Sequence, residues 1–130
     1  MNEWTFWDYI DERGTNPIRA WLTDKRQVPT KARAKIQRIL LQLAGTALWA
    51  RPLASNLDDY PNIVEIRIQW MNTQYRLLGY RGPEDRAFTL LIPALEKDDK
   101  FVPPNAPVIA TNRMNQVGLD GSRRHEHNFS

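Results

Sequence analysis

The chain has 130 residues, 42% of them hydrophobic, with 18 lysines and arginines against 15 acids and a formal net charge of +3; that length and apolar content suffice for one domain with a true core and little more. It contains no cysteine, which excludes disulfides, thiolate zinc sites and cysteine nucleophiles. No apolar run is long enough to cross a bilayer and the start is acidic and aromatic rather than signal-like, so a cytoplasmic protein without a membrane partner is expected. The charge is unevenly spread: Lys31, Arg33, Lys35, Arg38 and Arg51 lie between 31 and 56 without an acid among them, while Asp8, Asp11 and Glu12 gather near the start. A basic face implies an anionic partner, the plainer alternative being a solvated helix surface.

Trp4 to Tyr9 reads as a first strand, left through a turn at Asp11 to Gly14. Asn16 then caps a short helix with Pro17 at its first position, and Ile18, Trp21 and Leu22 share a buried face. Lys25 to Val28 lead to a longer helix that opens near Pro29-Thr30 and closes at Gly45 with a left-handed cap. Ala32, Ile36, Ile39, Leu40 and Leu43 form its apolar stripe; Lys31, Lys35, Arg38 and Gln42 line the other side. Residues 46–61 read as loop, with Leu48, Trp49, Leu53 and Leu57 tucked onto the core.

In 63–70, Val64, Ile66, Ile68 and Trp70 alternate with Glu65, Arg67 and Gln69, the period of a half-buried strand that holds Arg67 on its polar side. Met71-Asn72 turns into a second strand, 73–81, which carries Arg76, and residues 82–85 turn into a third, Ala87 to Leu95. Pro93 cannot donate to a ladder, so this strand lies at an edge or loosens its pairing there. Pro103-Pro104 precede a short helix, Ala106 to Gln116, and Gly118 opens a mobile tail in which Arg123-Arg124-His125-Glu126-His127 is solvated rather than metal-binding. The fold expected is α+β: a strand, two helices, a three-stranded antiparallel meander and a short C-terminal helix, with the helices on one sheet face. Residues 1–117 form the domain and 118–130 the flexible tail.

Arg67 and Arg76, on neighbouring strands, make a pre-set anion site, since planar guanidinium groups hold phosphate oxygens by paired charge-assisted hydrogen bonds. RNA is the partner this suggests. The plainer reading for each is a cross-strand salt bridge with Glu65 or another carboxylate.

Trp4-Thr5-Phe6, then Asp11, Gly14, Asn16-Pro17-Ile18 and Trp21-Leu22, resemble the opening of the phage-derived, HigB-like branch of the RelE/ParE toxin superfamily. Ala34-Lys35-Ile36 with Leu40, Leu43 and Gly45 resembles its long helix, Val64-Glu65-Ile66-Arg67 its "W-E-L-R" strand, and Tyr75-Arg76 its "Y-R". Leu90-Leu91 with Lys97, Lys100 and Pro103 resembles the last core strand and the lysine-rich turn after it. The resemblance runs in order from about Met1 to Arg113. It implies a toxin that cuts messenger RNA on the ribosome, without metal or other cofactor, and is silenced by a helix-turn-helix antitoxin encoded beside it; ParE-like members instead poison DNA gyrase.

Metal-free RNA cleavage by the 2′-hydroxyl needs a proton acceptor, a stabiliser of the phosphorane and a donor to the leaving oxygen. Arg76 and Arg67 suit the middle task, because arginine stays protonated. Tyr80 points the same way as Arg76 and is a candidate to stack on a base or donate a proton, or else packs at the sheet rim; Tyr75 faces the opposite side. Lys97 is a candidate for proton transfer and Lys100 for phosphate contact, the alternative being an ordinary charged turn, while Lys31, Lys35 and Arg38 are expected to bind the RNA backbone. The chain departs from the family at Pro93, where a histidine often stands, at Leu95 in place of an aromatic, and at Ser55-Asn56 in place of lysines. Those departures favour a second reading, a catalytically silent relative that binds RNA or a regulatory partner.

Overall fold

Two-residue turns set the register of the sheet. Met71-Asn72 joins strands paired from Trp70↔Thr73 to Val64↔Gly79, and Asp98-Asp99, both at left-handed φ (52° and 61°), joins Lys97 to Lys100, the backbone that matches strand twist in tight hairpins. In the computed structural model, which describes residues 3–130, the elements run β1 (Thr5–Tyr9), α1 (Pro17–Thr23), α2 (Thr30–Ala44), β2 (Ala54–Asn56), β3 (Val64–Trp70), β4 (Thr73–Arg81), β5 (Ala87–Lys97), β6 (Lys100–Val102), α3 (Ala106–Leu119) and β7 (Arg124–Glu126). They build an α+β fold on one sheet in the order β2-β3-β4-β5-β1-β7, with β6 paired to the end of β5. Pairing is antiparallel except that β1 runs parallel to β5, Phe6 beside Phe88. Among the described residues no helix is long and apolar enough to cross a membrane.

Both faces of the sheet are covered. On one, α1 and α2 press Ile18, Trp21, Leu22, Ile36 and Leu40 onto Val64, Ile66, Ile68, Tyr75, Leu77 and Phe88. On the other, α3 lays Ala106, Ala110 and Val117 against Leu78, Leu91, Ile92 and Ala94. The expectation that all helices share one face is therefore corrected: Leu78 and Tyr80 of β4 and Leu91, Ile92 and Ala94 of β5 leave an apolar patch on this side that needs a cover of its own.

Asn16 caps α1 through Arg19 N–H to Asn16 Oδ1 at 2.9 Å, with Pro17 at the first position. The end of α2 differs from expectation. Gly45 has φ −91° rather than a left-handed value, because Thr46 Oγ1 donates to Gln42 O at 2.8 Å and Trp49 Nε1 to Leu43 O at 2.9 Å, satisfying carbonyls that a left-handed cap would otherwise serve. Trp49 packs on Phe6 and Phe88, whereas Leu48, expected on the core, is 88% exposed.

The strand that carries Pro93 is central, not an edge. Between its pairing with β1 (residues 87–90) and with β6 (residues 95–97), β5 has β4 on one side and no strand on the other, and Pro93 falls in that gap, where no ladder donor is needed. Gly79 marks a register shift opposite β5, and a Cβ there would stand 2.5 Å from Phe88 Cε1 and from Thr89 O; only glycine permits so close a backbone approach.

Residues 118–130, expected as a mobile tail, pack as structure. After α3, β7 pairs antiparallel with β1, Tyr9↔Arg124 to Trp7↔Glu126. His127 is buried, its Nδ1 2.7 Å from Asp8 Oδ1 and its Nε2 2.8 Å from Gln37 Oε1. Phe129 packs against Phe6 and the His127 ring. The polar composition of this segment hid partners supplied from β1 and α2, far away in sequence.

Candidate functional site

The pleat of β3 and β4 brings Glu65, Arg67 and Gln69 to the same side as Gln74 and Arg76, with Arg67 directly opposite Arg76. Two guanidinium groups in that register repel unless an acid lies between them. Glu65 does: Arg67 Nε donates to it, and Arg76 Nε lies 3.7 Å from the same carboxylate oxygen. Glu96, one step diagonal on β5, accepts from Arg76 Nε at 3.1 Å. Two carboxylates thus balance two guanidinium charges at the sheet surface.

The arginines differ in what they have left to offer. Arg76 is buried and its donors are used within the protein: Nη1 donates to Tyr75 O at 2.9 Å and Nη2 to Gln74 Oε1 at 2.8 Å. Arg67 has 37% of its side chain in solvent and bonds Glu65 through Nε. That bond to Glu65 raises the Arg67 pKa above its ordinary value, so its charge is permanent. Both arginines line a cleft of about 400 Å³ with Lys35, Ile39, Pro52, Leu53 and Gln69. Lys35 reaches it from α2, its Nζ donating to Gln69 O. The arginines share one face and one cleft, and they are also joined by salt bridges through Glu65 and Glu96.

The remaining expected residues scatter. Tyr80 keeps the face of Arg76 but is buried with Leu78 and Leu91 on the α3 side, its hydroxyl without a hydrogen-bond partner and its pKa pushed up by that burial. A buried, firmly protonated phenol away from the cleft is a packing residue, which corrects its assignment to the reaction. Lys97 lies on a different cleft, beside Trp21 and Trp70. Lys100 is exposed and pairs across the hairpin with Lys97. Lys31 and Arg38 are exposed on α2, Arg38 beside a groove with Leu41 and Phe129 rather than at the arginine cleft; of the α2 cations proposed for RNA, Lys35 is the one that joins Arg67 there.

Glu96 and Gln74 are the residues the sequence reading passed over. The signal was present: carrying the alternation of β5 past Leu95 puts Ala94 and Glu96 on one side, and Ala94 sits opposite Arg76. No family model, no curated protein and no solved structure matches the chain.

Proposed function

We propose that this chain is the toxin of a toxin–antitoxin pair, an endoribonuclease that cleaves messenger RNA on the ribosome through attack of the 2′-hydroxyl on the adjacent phosphate. The observation that carries it is the Glu65–Arg67–Arg76–Glu96 network, whose two arginines open on a cleft that Lys35 also lines. A permanent cation with free Nη groups beside a second, fixed cation suits a phosphorane, whose charge grows as the 2′-oxygen bonds to phosphorus. Arg67 is the group that contacts phosphate and Lys35 supports it. Arg76 is a positioning residue, holding Glu65, Gln74 and Glu96 in place. Glu96, whose side chain is 24% exposed, is the carboxylate open to solvent and takes the 2′-proton, in place of Lys97; the P–O5′ bond breaks, a 2′,3′-cyclic phosphate forms, and the leaving 5′-oxygen takes a proton from water. The partners are the ribosome-bound message and a helix-turn-helix antitoxin.

A second reading, the catalytically silent RNA binder, is favoured by one observation: every Arg76 nitrogen has a partner inside the protein, as in a structural ion pair.

Expression of the chain without its neighbour gene separates these. The nuclease reading expects growth arrest with new 5′ ends inside translated messages. Arg67→Ala and Glu96→Gln abolish both effects, and Glu96→Gln retains RNA binding. Intact messages with normal growth, alongside salt-dependent RNA binding, give the silent reading. Arrest with intact messages and stalled gyrase rejects both in favour of a gyrase poison.

A further inference from the structure

A second cleft of about 410 Å³ lies between the α1–α2 connection and the β3–β4 hairpin, lined by aromatic rings and amides together. Trp21 and Tyr75 meet edge to face at 5.9 Å and are nearly buried, so this wall is rigid. Trp70 is half-buried and stands on the rim, and Asn72 lies on the hairpin turn beside it. Gln74 has its Oε1 committed to Arg76 Nη2, which leaves its amide nitrogen to donate. Lys97 adds a cation at the mouth.

We infer that this cleft receives a nucleobase of single-stranded RNA, with Trp70 as the stacking surface and the Asn72 and Gln74 amides on the base edge. The inference rests on the nuclease or RNA-binding reading above and extends it. The two clefts are neighbours, because Gln74 and Glu96 line this one and bond Arg76, which lines the other. A polar, aromatic-walled cavity of this size fits a flat heterocycle with donors and acceptors on its rim. A base seated here brings its own backbone toward the arginines, and Lys97 offers a contact to the neighbouring phosphate.

The test uses the full chain and two fluorescein-labelled probes at low salt: a six-residue oligoadenylate and the same RNA with abasic riboses throughout. Fluorescence anisotropy is expected to show the oligoadenylate binding about tenfold tighter, the scale of one stacked base. Trp70→Leu brings the two affinities to within about twofold, and Asn72→Ala, a change on the exposed turn whose effect on folding is checked by its melting temperature, narrows the ratio in the same direction. Arg67→Ala weakens both probes alike and keeps the ratio. Equal binding of the two probes by the unaltered chain, or a ratio that survives both Trp70→Leu and Asn72→Ala, overturns the base pocket and leaves the phosphate cleft standing. Binding of neither probe overturns the pocket and the RNA reading together.

Discussion

His127 Nδ1 and Asp8 Oδ1 lie 2.7 Å apart inside the protein, both side chains sealed from solvent. The rest of each group is also used: Asn16 Nδ2 donates to the other Asp8 oxygen at 2.9 Å, and His127 Nε2 faces Gln37 Oε1. Gln37 Nε2 donates to Asn128 O at 2.9 Å, which fixes that amide, so both imidazole nitrogens meet acceptors. The arrangement welds β1, α2 and the last residues into one body.

Removing half of a buried pair strands the other half. His127→Ala and Asp8→Ala are each expected to lower the free energy of unfolding by about 1–3 kcal/mol, the cost of leaving a buried polar group without its partner. Because the two share one interaction, the double variant loses clearly less than the sum. Urea unfolding of the four proteins measures this, and strict additivity would contradict it.

Arg76 and Arg67 separate stability from chemistry. Arg76→Ala leaves Glu65, itself buried, without its second cation and is expected to cost about 3–5 kcal/mol. Arg67→Ala takes a hydrogen bond from buried Glu65 but leaves Arg76 beside it to balance the charge, and is expected to cost less, about 1–3 kcal/mol. Thermal melting checks the contrast. A loss of toxicity on Arg76→Ala therefore reports folding as much as reaction, and Arg67→Ala is the cleaner probe of the site.

Gly79→Ala is expected to cost about 1–3 kcal/mol, the range for forcing a methyl into a filled interior. The backbone oxygen of Thr89, 2.5 Å from the added carbon, cannot step aside as a side-chain tip could. Denaturation midpoints test it, and an unchanged midpoint would mean that β4 and β5 can part there.

Arg124 grips Glu84 with both Nη groups, at 2.6 and 2.9 Å, and lies 4.2 Å from the Trp7 ring centre. The hydrogen bond from Arg124, first among the causes, holds the Glu84 carboxyl below its ordinary value. With the folded pKa depressed, the stabilisation is present above the unfolded value and is lost as pH falls through the folded one. Glu84 is half-exposed, so solvent screens the bridge to about 0.5 kcal/mol or less. Between about pH 5.5 and pH 3 the unaltered protein should lose more stability than Glu84→Gln by roughly that amount. Equal losses would show that the bridge adds nothing.

Local pattern carried far along this chain. The cap and proline of α1 and the apolar stripe of α2 needed only neighbours three and four residues away. The alternation of β3 and the paired turn at Met71-Asn72 set the register that puts Arg67 across from Arg76. Period two and a two-residue turn are local geometry, and they decided half of the site before any long-range contact formed.

The other half came from chain segments that meet only in three dimensions. Composition marked 118–130 as polar and loose, yet β1 and α2 supply Asp8, Gln37 and the strand edge that order it. Tyr80 and Arg76 share a side of β4, but the cover beyond the shift at Gly79 buries one with the α3 core while the other meets Glu96. The sequence by itself determined which residues alternate, cap and turn, because those choices depend on backbone sterics over a few positions. Which arginine keeps free donors, which carboxylate stands beside it and which face receives α3 depend on desolvation and on partners about 20 or more residues distant, and only the assembled sheet decides them.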